Sequence, residues 1–353
     1  MSVDEAPAVI IDNGSHTLKV GFTGEEDPSG VFRNSVYLIE TANGVIRKVS
    51  VPPHPNAQPL YPIQRGIPCD WDAMESVWEY TFKDVLNVAP EDHRVLLTDR
   101  PLSERAHREK AVQIMFEKFS TPATYVSMQA LLALYGAGRT SGTVVDVGEG
   151  FTSVVPVHKG TPVTEGIVNV ELAGRDMVDY LATALQLSDR ELAREVLEKV
   201  CTVSADIGKE TVNPIDFKAA NGSIVSIGAE RFRCGESLFN PTVIGHKESS
   251  ALPEIIAKSV AACKEATRKD LYAHIVLAGG STMLNGFAER LQKELATHIP
   301  STHRYKVVTT QHPTLTVWAG GNMVAQSPMF QQSWVTKQEY EEHGADIIHK
   351  KCV

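Results

Sequence analysis

Two runs of β-branched and apolar residues in this chain end in the same device. Ala8-Val9-Ile10-Ile11 stops at Asp12-Asn13-Gly14, and Thr143-Val144-Val145 stops at Asp146-Val147-Gly148. A second apolar run follows each turn, over 18–22 and 152–157. Two short runs around a turn-forming Asp-x-Gly read as a β-hairpin. The two aspartates stand 134 positions apart in a chain of 353 residues. That period is too long for a solenoid. It fits two lobes built on one plan, and the length alone points to two domains.

Between and after the hairpins, apolar periodicity predicts helices. Met74, Val77, Trp78, Val85 and Leu86 mark one helical face, with Asp70 or Asp72 as N-cap. Val112, Met115, Phe116 and Phe119 mark a second, and 94–98 reads as a buried strand before it. Gln129 opens a short apolar helix over 130–135 that ends in Gly136-Ala137-Gly138. In the second half, helices are expected over 177–185 and 189–200. A strand over 274–278 runs into Gly279-Gly280-Ser281-Thr282, and a helix with Phe287, Leu291, Leu295 and His298 on one side follows. Thr336-Lys337-Gln338-Glu339 is a capping box. Strands alternating with helices indicate an α/β layer fold. The stretch 34–62, with Pro52, Pro53, Pro55 and Pro59, is expected to be a loop or an edge-strand flap.

Composition narrows the function classes. The 34 Lys and Arg against 43 Asp and Glu leave a net charge of −9, which argues against a nucleic-acid binder. No apolar run approaches the roughly 18 residues of a membrane helix. The start, MSVDEAPAV, shows no signal pattern. Five cysteines, none in a C-x-x-C pair, make neither a disulfide framework nor a zinc site. The twelve histidines show no metal-ligand spacing. Cys352 is expected to be an exposed thiol, and the protein a reduced one of the cytosol or nucleus.

Chemistry concentrates in three glycine turns: Asp12-Asn13-Gly14-Ser15, Asp146-Val147-Gly148-Glu149-Gly150 and Gly279-Gly280-Ser281. Glycine lets backbone N–H groups approach phosphate oxygens and form an anion nest. An aspartate at a turn could hold Mg²⁺ through its water shell, and Lys19 could add a cation. Two such turns facing each other would clamp a polyphosphate. Each turn taken alone also reads as a plain hairpin or strand-to-helix turn. No G-x-x-x-x-G-K-[ST] is present, so the chain is not a P-loop enzyme.

The chain resembles actin and the actin-related proteins over essentially its whole length. The matching stretches include DNGSHTLKVGF (12–22), YPIQRGI (61–67), WDAMESVWEYTF (71–82), QALLALYGAGRTSG (129–142), VDVGEGFTSVVPV (145–157), LAGRDMVDYL (172–181) and RKDLYAHIVLAGGSTM (268–283). The resemblance implies a two-lobed α/β fold, each lobe carrying a ribonuclease-H-like sheet, with a nucleotide cleft between them. It implies a first lobe core of 1–33, 62–136 and 316–353, and a shortened flap at 34–61. The second lobe core would be 137–172 and 248–315, with a fourth part at 173–247. It implies ATP or ADP with Mg²⁺, for which Ca²⁺ can substitute. Asp12 and Asp146 match the aspartates that organise the metal's waters. Asn13, Gly14, Ser15 and Lys19 belong to the first phosphate loop, and Gly148, Glu149 and Gly150 to the second. Gln129 matches the glutamine that positions the attacking water, so the catalytic pair would be Gln129 and Asp146. Gly174, Arg194 and Glu198 match the nucleoside pocket, and Gly279, Gly280, Ser281 and Met283 the loop beside the adenosine.

The chain departs from conventional actin in ways that bear on activity. Ser153 stands where actin has a histidine that helps orient the lytic water, and Glu149 replaces an aspartate. His16 occupies a glycine position. Leu197, Leu284 and Thr314 replace a lysine, a tyrosine and a lysine of the nucleoside pocket. Between Phe32 and Tyr61 the chain is shorter than actin, where actin's DNase-binding loop would be. These features favour an actin-like or actin-related protein that binds ATP·Mg²⁺, with weak or absent hydrolysis (ATP and water to ADP and phosphate) and a reduced ability to form homopolymers. Its partners would be actin or actin-binding proteins, or a remodelling, dynactin-like or axonemal assembly, in the cytoplasm, the cytoskeleton or the nucleus. The alternatives are a filament-forming actin and a small-molecule kinase of the same superfold.

Overall fold

The computed structural model describes residues 6–41, 44–49 and 59–352. The chain divides into two compact units, Met1–Thr140 with Leu315–Val353, and Ser141–Thr314.

In the first unit Val9–Asn13, Thr17–Phe22 and Gly30–Arg33 form an antiparallel meander. Val95–Asp99 joins Val9–Asn13 in parallel, and Ala123–Met128 joins Val95–Asp99 in parallel. Val335–Thr336 closes that edge antiparallel. The second unit repeats the order. Thr152–His158 runs antiparallel to Gly142–Val147, which pairs in parallel with Ile275–Ala278, and that strand with Val307–Val308. The outer strands Thr161–Pro162 and Val168–Val170 both pair with Thr152–His158. Each sheet therefore has an antiparallel hairpin whose first strand lies beside a parallel set, as expected for a duplicated ribonuclease-H-like plan. The inner strands are covered on both faces, which is why they read as unbroken apolar runs: Val9, Ile10, Ile11, Val144 and Val145 are all fully buried.

Helix Gln129–Gly136 is locked against helix Thr316–Gln326 through glycine. A Cβ on Gly136 would strike the Thr316 carbonyl, and one on Gly320 would strike the Leu132 carbonyl. Only backbone-to-backbone approach allows this packing, and it fixes the axis of the helix that begins at Gln129.

Most expected elements are present, with informative shifts. Asp70, not Asp72, caps Trp71–Tyr80, its side chain accepting from the Ala73 N–H at 2.8 Å. The helix then widens into a π-helical stretch, Thr81–Leu86, that ends at Asn87 with φ 53°. The wider turn buries Phe82 and Leu86 and leaves Val85 only half-buried. Phe119 packs in the core but lies just beyond Arg105–Glu117. His298 ends Phe287–His298 on the exposed side, where its ring meets the Glu294 carbonyl rather than the core. The flap is more regular than expected. Gly44–Val49, Val36–Thr41 and Pro59–Leu60 form a three-stranded antiparallel sheet with Pro59 on its edge strand. Pro52, Pro53 and Pro55, like the acidic Asp4 and Glu5, lie outside the described residues. Cys352 is not exposed: it is buried, its carbonyl accepts from Arg108, and burial pushes its thiol up to about 12.

Gly320→Ala should force the two helices apart and lower stability by about 1–3 kcal/mol, the usual cost of overpacking. Denaturant melts of the full chain measure this, and an unchanged midpoint would show that the helices do not need the close approach.

Candidate functional site

In both units the acidic turn lies at the carboxyl end of an inner strand, where parallel α/β sheets collect their ligands. In the first unit Val9–Asn13 delivers Asp12, Val95–Asp99 delivers Thr98, and Gln129 begins its helix directly after Ala123–Met128. Parallel pairing of these three strands sets the three side chains side by side. Asp12 is 2 % exposed. Its Oδ1 accepts the Thr98 hydroxyl at 2.9 Å and the Gln129 amide at 3.1 Å. Its Oδ2 lies 3.4 Å from Lys19 Nζ, on the residue directly across the hairpin. A carboxylate out of water needs such partners to stay charged.

Asn13 is tied down from two sides. Its Oδ1 accepts the Trp78 indole N–H at 3.1 Å, and its Nδ2 donates to the Thr98 carbonyl at 3.2 Å. The turn Gly14–Ser15–His16 follows. A Cβ on Gly14 would collide with the Thr17 carbonyl. The Ser15 hydroxyl accepts from the Gly66 N–H at 3.0 Å. Thr98, Trp78 and Gly66 were not among the expected site residues. Thr98 has a signal in the sequence, because it is the first polar residue after the buried apolar run Val95-Leu96-Leu97.

In the second unit Gly142–Val147 delivers Asp146, with Ser153 directly across the hairpin. Gly279 follows Ile275–Ala278 with φ 84°, and a Cβ there would strike Asp146 Oδ1 and the Val147 carbonyl. Only glycine can pass that close to the aspartate. The Gly148 carbonyl accepts the Gly174 N–H at 3.0 Å and the Ser281 hydroxyl at 3.3 Å. The Glu149 carbonyl accepts the Arg175 N–H at 2.8 Å. The first amides of helix Gly174–Ala184 are thus taken up by the turn itself. The Glu149 carboxylate grips Arg194 with a two-bond fork, 2.9 and 2.6 Å. Burial works against the Arg194 charge, but the Glu149 hydrogen bonds and charge outweigh it and hold the guanidinium above its usual value.

The expected residues therefore gather into two clusters, each within its own unit. Asp12, Asn13, Gly14, Ser15, Lys19 and Gln129 form the first. Asp146, Gly148, Glu149, Gly174, Arg194, Gly279 and Ser281 form the second. Gly150 is buried within the turn, and Gly280 lies beside Thr314, exposed. Glu198 is exposed one helical turn beyond Arg194, and Met283 is 55 % exposed. Leu197 and Leu284, two of the replaced nucleoside-pocket positions, are buried in the second unit's apolar core. The Ser153 hydroxyl is buried without a hydrogen-bond partner among the described residues. Among the described residues, no helix is long and apolar enough to cross a membrane.

Two units with one ribonuclease-H-like sheet order, each presenting an acidic glycine turn at the same strand end, define a duplicated α/β protein. A model of the protein family described as Actin matches residues 3–189 and 185–353, which together span nearly the whole chain. The chain belongs to the actin family, whose members typically bind a nucleotide and a divalent cation.

Glu149→Ala should leave the Arg194 guanidinium largely buried without its fork partner and destabilise the protein by about 3 kcal/mol, as breaking a buried pair does. Chemical denaturation checks it, with Glu149→Gln expected to cost less.

Proposed function

We propose that this protein is an actin-like or actin-related protein that binds ATP·Mg²⁺ (or ADP, or Ca²⁺ in place of Mg²⁺) through its two acidic glycine turns, one from each unit. The observation that carries the reading is the duplication: the same Asp-x-Gly turn at the end of the same strand of two sheets with the same order. The donor set fits the ligand. Asp12 has Oδ1 saturated by Thr98 and Gln129, while Oδ2 has Lys19 at 3.4 Å and is suited to a metal-bound water. Gly279 passes so close to Asp146 Oδ1 that any Cβ there would press on the carboxylate. Bound Mg²⁺ would supply charge neutralisation for the phosphates. Asp12 and Asp146 would hold its waters, Lys19 would supply a cation, and the turn amides would face phosphate oxygens.

The nucleotide acts in this reading as a clamp that biases the protein toward one arrangement and so controls assembly with partners. Such a switch requires different affinities for the two states. The partners are actin, actin-binding proteins or a larger assembly of the remodelling, dynactin-like or axonemal kind, in the cytoplasm, the cytoskeleton or the nucleus. A shortened flap supports a reduced tendency to form homopolymers, since a head-to-tail contact would lose part of its fit. Pelleting assays with electron microscopy decide between this and a filament-forming actin.

Hydrolysis is proposed to be weak or absent. The Gln129 amide nitrogen is engaged by Asp12, the Asn13 carbonyl and Thr98, at 3.1, 3.3 and 3.4 Å. Ser153 offers a short hydroxyl where conventional actin has a histidine.

Millimolar ATP with Mg²⁺ should raise the melting temperature by several degrees, because a ligand at about 100 times its Kd adds about 2.7 kcal/mol. Asp12→Ala and Asp146→Ala should each remove most of the shift, and a flat response in the native chain would overturn the reading. Phosphate release from ATP should stay near background. Turnover like that of conventional actin, lost on Gln129→Ala, would refute the proposed weak hydrolysis.

A further inference from the structure

We propose that Asn34 is a positioning residue for the first glycine turn, an inference that rests on the nucleotide reading above. Asn34 directly follows strand Gly30–Arg33 and is fully buried. Its backbone N–H donates to the His16 carbonyl at 2.7 Å. Its side-chain Nδ2 donates to the Gly14 carbonyl at 2.9 Å. One residue thus holds the carbonyls of the residues on both sides of Ser15.

The consequence follows from peptide geometry. A trans peptide sets its N–H opposite to its C=O. With the Gly14 carbonyl turned to Asn34, the Ser15 N–H is turned the other way. Lys19 also attends the turn: its Nζ is 3.5 Å from the place a Cβ on Gly14 would take. Rotating this peptide would turn the Ser15 N–H back toward Asn34, and the Asn34 hydrogen bond opposes that rotation. Asn34 supplies the hold and keeps an amide donor available to a phosphate oxygen.

The rest of the Asn34 amide argues that the residue is not there for packing. Its Oδ1 is buried with no hydrogen-bond partner among the described residues, and the neighbouring Ser35 hydroxyl is in the same condition. Leaving a buried acceptor unsatisfied is unfavourable, and an apolar side chain in that place would avoid it. What the asparagine side chain supplies is its donor bond to the turn.

The test uses the full chain with Asn34→Ala, which removes the donor and the orphan acceptor together, and Asn34→Asp, which sets a carboxylate oxygen against the Gly14 carbonyl. Three quantities are read: MgATP affinity by calorimetry, the melting temperature without nucleotide, and amide hydrogen exchange at residue 34 and Gly66, whose N–H groups bond to the turn. Asn34→Ala should bind MgATP about tenfold more weakly, as loss of one preorganising hydrogen bond implies. Exchange should be faster at residue 34, whose N–H meets the His16 carbonyl, and at Gly66, whose N–H meets the Ser15 hydroxyl, and the melting temperature without nucleotide little changed. Asn34→Asp should bind more weakly still; if it does not fold, Asn34→Ser takes its place. MgATP affinity equal to that of the native chain overturns the proposal. So does weaker binding with unaltered exchange, which would mean that Asn34 meets the ligand directly. If the native chain binds no MgATP, the functional reading fails instead. Exchange in Asn34→Ala then decides alone whether Asn34 holds the turn: faster supports it, unchanged overturns it.

Discussion

A carboxylate that is 2 % exposed must find partners for its charge inside the protein, and around Asp12 that demand organises the whole first unit. The partners come from distant parts of the chain: Lys19 across the hairpin, Thr98 from the next strand, and Gln129 from the helix after the third. They can meet only if the three parallel strands end level with one another and the helix axis behind Gln129 is held. Glycine-mediated packing of Gln129–Gly136 on Thr316–Gln326 holds it. The C-terminal part of the chain therefore determines where a residue near position 130 sits. Paired in this way the carboxylate has hydrogen-bond partners on one oxygen, and its second oxygen, beside Lys19, is suited to a hydrated cation.

The second unit reaches an equivalent arrangement by different means. Its turn is held by backbone: the Gly148 and Glu149 carbonyls take the first amides of the helix that begins at Gly174. Its charged side chains include the Glu149–Arg194 fork, with Glu191 beside the same guanidinium. The absence of a side chain at Gly279 does the rest, since any Cβ would press on the aspartate. One sheet plan thus supports two turns of the same shape, one braced by polar side chains and the other by helix amides. The duplicated fold fixes the place of each turn, and the bracing is free to differ.

Much of this was legible in the residues. The paired Asp-x-Gly turns, the helix opening at Gln129 and the Thr336–Glu339 capping box depend on local chemistry, and each stands where local rules put it. The errors came from places where distant atoms decide. Cys352 sits next to the chain end and looks free, yet Arg108 and the first unit's core enclose it. The prolines of the flap dominate its local pattern, although Val36–Thr41 and Gly44–Val49 are rich in β-branched residues and pair antiparallel. The π-helical stretch at Thr81–Leu86 shifts the buried face by a residue, and an even 3.6-residue repeat has no place for that.

Asn34 shows the same division at the site itself. Nothing local distinguishes it from any other asparagine after a strand, and its meaning lies in which carbonyls it reaches. By itself the sequence determined the duplicated α/β plan, the identity of the acidic turns and the family, because those rest on short-range spacing and turn chemistry. Only the tertiary structure decided which groups satisfy Asp12, which amides brace the second turn and which side chains are buried. Those depend on strands and helices, far apart along the chain, ending at the same point in space.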